Sequence, residues 1–130
     1  MSNIAFVESL YAAFGRGDVS FIMANVAPNV VWDMTGRPED YPRFGKREGP
    51  AGVGAFFQML VDNEEFTEFQ VTEMREAGDK VYVLGHLSAR MKKNGKSLTT
   101  DWIHIFTVKD GKVAAFKEFL DTAQFVAASK

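Results

Sequence analysis

Residues 97–120 read SLTTDWIHIFTVKDGKVAAFKEFL, and this stretch decides the fold. Apolar and polar residues alternate on both sides of Asp110-Gly111, a dipeptide that favours the two-residue turn of a β-hairpin. Two similar turns come before it, at Ala77-Gly78-Asp79 and at Asn94-Gly95. The alternation and the turns together predict an antiparallel meander of long strands, over residues 66–76, 80–92, 97–109 and 112–120.

The chain before the meander has the spacing of helices instead. Apolar residues recur at intervals of three and four over residues 4–14, and the glycines that follow can end that helix near Phe14. Asp18 or Ser20 can cap a short second helix. A third helix begins at Pro50, because proline is tolerated in the first turn, where its missing N–H has no partner to lose.

An irregular segment separates the second and third helices. Residues 30–33 predict a short strand, and residues 34–49 predict a loop that is long for a compact domain. Such loops are usually functional, so Tyr41 and Phe44 are candidates to close over a site. At the other end of the chain, residues 122–128 predict a short helix or an ordered tail, which Asp121 can cap.

Helices followed by a run of hairpin strands indicate the α+β class, with a curved antiparallel sheet wrapped on the N-terminal helices. A sheet curved in this way leaves a concave mouth. The 130 residues suffice for one domain, residues 1–130, that buries roughly 65–70% of the surface its unfolded chain exposes.

The composition excludes several classes of function. Without cysteine the chain has no thiolate zinc site, no cysteine nucleophile and no disulfide, and a cytoplasmic location is the expectation. The net charge of −2 and the mixed charge pattern argue against nucleic acid as a partner. No segment approaches the roughly 20 apolar residues that span a membrane. Two widely separated histidines give no metal pattern, so we expect neither a metal nor a cofactor.

Three stretches carry a family likeness: VESLYAAFGRGD at residues 7–18, VWD at residues 31–33 with REGPAGV at residues 47–53, and FTVKDGKV at residues 106–113 with EFLD at residues 118–121. In this order and spacing they resemble the SnoaL-like, or polyketide cyclase-like, proteins of the nuclear transport factor-like and ketosteroid isomerase-like superfamily. The resemblance implies a cone-shaped, cystatin-like α+β barrel whose interior binds a small hydrophobic molecule. It also implies a homodimer formed through the outer face of the sheet.

The same resemblance implies two functions. The first is an enzyme that acts on a hydrophobic carbonyl compound by cofactor-independent general acid–base proton transfer, as an isomerase, cyclase or dehydratase. The alternative is a non-catalytic module of the same fold that binds a small ligand or forms dimers. Because one fold supports many reactions, the choice between them depends on individual residues.

Three residues are catalytic candidates. By resemblance Asp33 stands where the isomerases hold their base, although it can equally cap the turn at Thr35. His104 falls at the place of their hydrogen-bond donor and can donate to a substrate oxygen or act as acid or base; the alternative is a buried histidine satisfied by a carbonyl or by Glu118. Glu118, on the next strand, would orient and charge that imidazole, and its alternative is an ion pair at a sheet edge.

Strand and helix parity assigns the remaining candidates. If the sheet parity matches that of the isomerases, as the resemblance implies, His86 faces outward, away from the site, unless a bulge near Gly85 reverses the strand. Leu10 stands where the isomerases hold their key tyrosine, with Tyr11 about 100° further around the helix. The expected ligand-binding residues are Tyr11, Phe14, Trp32, Phe56, Met59, Trp102, Phe116 and Leu120.

Overall fold

A computed structural model describes residues 2–130, and within them the chain forms four helices and six strands. The helices are α1 (Asn3–Gly15), α2 (Val19–Ala24), α3 (Gly49–Asn63) and α4 (Thr122–Ala128). The strands are β1 (Val26–Met34), β2 (Gly45–Glu48), β3 (Glu64–Ala77), β4 (Lys80–Met91), β5 (Ser97–Lys109) and β6 (Lys112–Leu120). No helix in the described range is long and apolar enough to cross a membrane.

Side-chain caps begin three of the helices. The Ser2 hydroxyl accepts from the N–H of Ala5 at α1, and the Asp18 carboxylate accepts from Phe21 at α2, at 3.0 Å. The Asp121 carboxylate accepts from the N–H of Ala123 at α4, at 3.1 Å. Each cap satisfies a backbone donor that the helix itself leaves free. Of the two candidates Asp18 and Ser20, Asp18 is the cap of α2, and residues 122–128 form the helix and not an ordered tail. The expected cap at Asp121 is confirmed.

The strands form one sheet in the order β2-β1-β6-β5-β4-β3, and β3 to β6 are the predicted antiparallel meander. At the last turn both Asp110 and Gly111 have positive φ, 52° and 73°, as the favoured two-residue hairpin turn requires. The α+β class with a curved sheet on N-terminal helices is confirmed.

Three details of the sheet differ from the expectation. β1 pairs with β6 in parallel, so the sheet is mixed, and the sheet is curved but unclosed instead of forming a complete barrel. β2 adds an edge strand within residues 34–49, which the sequence predicts as irregular. Turn chemistry fixes only the relative direction of strands joined by a short turn, and no such turn joins β1 to β6.

Burial alternates along β4 with the expected parity. Val83, Gly85 and Leu87 face the interior, which places His86 on the outer face. There the His86 imidazole lies 2.8 Å from a carboxylate oxygen of Asp101. The interior face of the sheet is covered by α1 and α3.

Candidate functional site

A small cavity, about 60 Å³ in volume, lies between α1, α3 and the concave face of the sheet. Its wall is mostly aromatic, formed by Phe14, Trp32, Phe56, Phe57, Phe66, Phe69, Phe106 and Phe116. Leu10, Ile22, Met34 and Leu60 complete the apolar part. Four polar side chains share the remaining part of the wall, and they are Tyr11, Arg43, His104 and Glu118. The cavity is therefore an apolar chamber with one polar end.

Three of the polar side chains form a continuous hydrogen-bonded series. The Tyr11 hydroxyl lies 2.6 Å from Nδ1 of His104, and Nε2 of the same ring lies 2.7 Å from Oε2 of Glu118. α1 supplies the tyrosine, while β5 and β6 supply the histidine and the glutamate, which are direct partners in the sheet. The series therefore joins a hydroxyl, an imidazole and a carboxylate in the wall of the cavity.

The charges around Glu118 decide which atom donates in this series. Burial raises the pKa of the Glu118 carboxyl, but the Arg43 guanidinium and the hydrogen bond with His104 outweigh burial and hold that pKa below its ordinary value. Burial also lowers the pKa of the His104 imidazole, against the opposing effect of Glu118. An ionised carboxylate only accepts, so Nε2 of a neutral His104 donates to it. Nδ1 then accepts from the Tyr11 hydroxyl, whose pKa burial raises well above 10.

Arg43 is the member of the site that the sequence analysis missed. It lies in residues 35–44, the segment between β1 and β2 that we call the strap, and its side chain is 2% exposed. Its guanidinium donates to both carboxylate oxygens of Glu118 at 3.1–3.2 Å and to Oε1 of Glu64 at 2.5 Å. The strap is neither a helix nor a strand, so its apolar residues follow no regular spacing that would indicate which side chains are buried. The one signal is an arginine set between the aromatic residues Tyr41 and Phe44.

The strap is anchored by its aromatic residues as well as by Arg43. The Tyr41 hydroxyl donates to Oε2 of Glu64 at 2.9 Å, and the Phe44 and Tyr41 rings both pack against Phe125 of α4. The Arg43 guanidinium lies 4.6 Å from the centre of the same Phe125 ring. Tyr41 and Phe44 thus close over the core beside the site, and Arg43 reaches the cavity itself.

The structure brings two of the three catalytic candidates together and separates the third. His104 and Glu118 lie in the cavity, but Asp33 does not. Its neighbours on β1, Trp32 and Met34, line the cavity, so alternation places Asp33 on the opposite face. The expectation that Asp33 lies in the mouth is therefore corrected. The turn after β1 is held by Thr35, whose N–H and hydroxyl both donate to the carbonyl of Glu118.

Five of the eight expected ligand-binding residues line the cavity, and they are Tyr11, Phe14, Trp32, Phe56 and Phe116. Met59, Trp102 and Leu120 do not. Met59 lies to one side of the inward stripe of α3, and Leu120 lies two residues beyond Glu118 on β6, opposite Trp102. The Trp102 indole is buried behind His104, with 3.9 Å between the ring centres and 19° between the planes.

No group of three or more histidine, cysteine, aspartate or glutamate side chains within residues 2–130 is arranged to hold a metal ion. The indole Nε1 atoms of Trp32 and Trp102 are buried without a hydrogen-bond partner in the same range. The arrangement can accept or donate one proton at Tyr11 and hold that proton on His104, beside the Glu118 carboxylate, whose pKa is held below its ordinary value.

Comparison with known proteins was made by sequence family and by structure. The model of the SnoaL-like domain matches residues 7–116. An NTF2-like protein from Burkholderia xenovorans LB400 is 28% identical, with 98% of this chain and 95% of that one covered and a TM-score of 0.89. An NTF2-like protein from Burkholderia thailandensis E264 is 27% identical, with 97% and 95% covered and a TM-score of 0.87.

A further solved structure is that of TerC co-crystallised with polyporic acid. It is 26% identical, with 97% of this chain and 96% of that chain covered and a TM-score of 0.83. No curated protein matches the chain significantly.

Proposed function

The chain belongs to the SnoaL-like family, and from that premise we propose that it is an enzyme that transfers a proton on a small hydrophobic carbonyl compound by general acid–base catalysis without a cofactor. The observation that carries the proposal is the series Tyr11, His104 and Glu118 at the polar end of an apolar cavity. In such a series the imidazole can take the proton of the hydroxyl group, and the carboxylate orients the imidazole.

The proton follows the hydrogen bonds of the series. A carbon-bound proton next to the substrate carbonyl passes to the oxygen of Tyr11 as the tyrosine proton passes to Nδ1 of His104. The C–H bond breaks, the electron pair moves to the carbonyl oxygen as an enolate, and the imidazolium is stabilised by Glu118. Return of the proton to another carbon of the conjugated system completes an isomerisation. In a cyclisation the enolate carbon attacks a second carbonyl, the C=O π bond breaks, and the resulting alkoxide takes the proton back from His104 through Tyr11.

The rest of the cavity suits such a substrate. Its aromatic wall excludes water and offers apolar surface to the body of the ligand. At the polar end the Tyr11 hydroxyl donates to His104, so its oxygen is free to accept the proton next to the carbonyl. In a low-dielectric chamber the charge of Glu118 acts on His104 more strongly than it would in water. The crystallisation of TerC with polyporic acid supports a small organic ligand in this fold.

Exchange of substrate protons with heavy water tests the proposal. A panel of hydrophobic ketones is followed by proton NMR for loss of signals next to the carbonyl. We expect the wild type to exchange at least one of them, and His104→Gln and Tyr11→Phe to lose about 100-fold or more of that rate. His86→Gln is the matched control, because His86 lies on the outer face and should leave the rate unchanged. A wild type without exchange, or variants that match it, would refute the mechanism.

The second candidate is a binding module without chemistry. The observation that favours it is that the polar groups of the cavity are already hydrogen-bonded to one another. Apolar burial would then hold the ligand, and ligand-induced thermal stabilisation should survive both Tyr11→Phe and His104→Gln while no proton exchange occurs. The same two variants therefore distinguish the two candidates.

We also propose that the outer face of the sheet forms a homodimer. Leu84, Ile103 and Phe119 are direct neighbours across β4, β5 and β6, and they are 37%, 41% and 45% exposed on that face. An exposed apolar row of this kind is typical of an interface. Sedimentation should give a dimer that Ile103→Glu converts to a monomer, and a wild-type monomer at micromolar concentration would contradict the proposal.

A further inference from the structure

We call the series of Tyr11, His104 and Glu118 the relay. The strap places Arg43 against the Glu118 end of this relay, where the two side chains form an ion pair. Each of the three guanidinium nitrogens of Arg43 lies within hydrogen-bond distance of a carboxylate, two of them of Glu118 and one of Glu64. Glu64 begins β3, and Tyr41 of the strap donates to its second oxygen. The relay and the strap therefore share Glu118, which accepts from His104 on one side and from Arg43 on the other.

His104 is faced by few charged or titratable groups, and they come from separate elements. α1 presents Tyr11 and β6 presents Glu118. Beyond that carboxylate the strap presents Arg43, and behind Arg43 lies Glu64 of β3 with Tyr41. On β4 the residue paired with His104 is Val83, which carries no charge. Behind His104, charges of alternating sign therefore follow one another from one hydrogen-bonded partner to the next: Glu118, Arg43, Glu64.

We propose that Arg43 and Glu64 are positioning residues that act through Glu118 to set the pH at which His104 takes up a proton, and this inference rests on the function proposed above. The positive charge of Arg43 offsets part of the negative charge of Glu118 and disfavours a second positive charge on His104. Burial raises the pKa of the Glu64 carboxyl, against the opposing effect of Arg43, and in its ionised form Glu64 offsets part of the Arg43 charge from the far side. Arg43 therefore adds to burial in holding His104 neutral and able to accept a proton.

The direction of each effect follows from Coulomb interactions in a buried site. Burial lowers the pKa of His104, Glu118 raises it and Arg43 lowers it again. Removal of the Arg43 charge should raise the pH at which His104 is protonated. Removal of the Glu64 charge leaves Arg43 less neutralised and should lower that pH. The two substitutions therefore act in opposite directions.

Opposite directions distinguish this charge effect from a structural one. If Arg43 and Glu64 served only to hold the strap in place, either substitution would loosen it and admit water to His104. Hydration relieves the burial that depresses the His104 pKa, so both substitutions would then move the titration towards higher pH. Only an electrostatic role gives a rise in one variant and a fall in the other.

Nitrogen-15 NMR of the histidine rings measures the titration in the full chain without a substrate. The sequence has only two histidines, so His86 is an internal reference, and His86→Gln assigns the signals. We expect Arg43→Met to raise the His104 midpoint by about one pH unit, within the range for a nearby charge. Arg43→Lys, which keeps the charge, should shift the midpoint by less than half as much. Glu64→Gln, which keeps the shape, should lower the midpoint.

The His104 midpoints of these variants decide whether the inference holds. A rise in Glu64→Gln, or an unchanged midpoint in both Arg43→Met and Glu64→Gln, overturns the inference. If Arg43→Met does not fold because two buried carboxylates lose their cation, the direction of the Glu64→Gln shift decides. The titration needs no turnover, so a wild type that exchanges no ketone protons refutes the proposed function alone. An active enzyme whose His104 midpoint rises in both variants refutes this inference alone.

Discussion

Replacement of Gly85 by alanine should reveal how the wall behind His104 is held. Gly85 of β4 and Trp102 of β5 are direct partners in the sheet. A Cβ added to Gly85 would overlap atoms Cζ2 and Cε2 of the Trp102 indole and the backbone oxygen of Gln70. The indole is 2% exposed and stacks on His104, so it cannot move away without moving the imidazole.

The expected cost is that of overpacking a buried site. Extra volume in a packed core destabilises a protein by about 1–3 kcal/mol. With an unfolding entropy of about 2.1 cal/mol/K for each residue, 130 residues give about 0.27 kcal/mol/K. A loss of about 2 kcal/mol therefore lowers the melting temperature by about 7 °C. Differential scanning calorimetry resolves a change of this size.

Two further variants make the result specific. Gly15→Ala is the matched control, because no atom lies within 4 Å of an added Cβ there, and we expect a gain of about 0.4–1 kcal/mol. Gly85→Ala combined with Trp102→Leu should show a favourable coupling of about 1 kcal/mol, since part of the overlap is gone. A Gly85→Ala variant that melts within 1 °C of the wild type, or a strictly additive double variant, would refute this account of the wall.

Two other predictions concern pH and the last helix. Burial lowers the pKa of folded His104 below 6.5, so the stability that neutral His104 contributes is complete above pH 6.5 and is lost as the pH falls towards the lowered value. Between pH 8 and pH 5 the melting temperature should therefore fall less in His104→Gln than in His86→Gln, and equal slopes would contradict this. Asp121→Ala removes the cap of α4, whose Phe125 packs against the strap, and should cost about 1 kcal/mol in urea unfolding. Asp121→Asn should retain most of that stability, and an unchanged midpoint for the alanine variant would mean that the cap contributes nothing.

The features that the sequence predicted correctly are those with local causes. The caps at Asp18 and Asp121 are set by residues within three positions, and the meander is set by alternation and by short turns. Arg43 has no such cause. Its burial depends on Glu64 and Glu118, which are 21 and 75 residues away in the chain. Its position in an irregular strap gives no pattern from which that contact could be inferred.

Tyr11 illustrates a second limit, which comes from the width of the cavity. Leu10 stands at the position where the resemblance places a key tyrosine, and the two residues differ by about 100° around α1. Both nevertheless line the cavity, because the chamber extends over more than one stripe of the helix. The resemblance therefore identified the correct helix, but not which of two neighbouring residues reaches His104. That contact depends on where α1 lies on the sheet.

The pairing of His104 with Glu118 depends on a feature that alternation alone cannot supply. Next to the turn Lys109 pairs with Lys112, and the same register continued without change would set His104 opposite Lys117. The pairing instead shifts by one residue between Thr107 and Val108, so that His104 lies opposite Glu118. A shift of one residue exchanges the two faces of a strand. The relay therefore exists because this irregularity turns a carboxylate, and not the Lys117 ammonium, into the cavity.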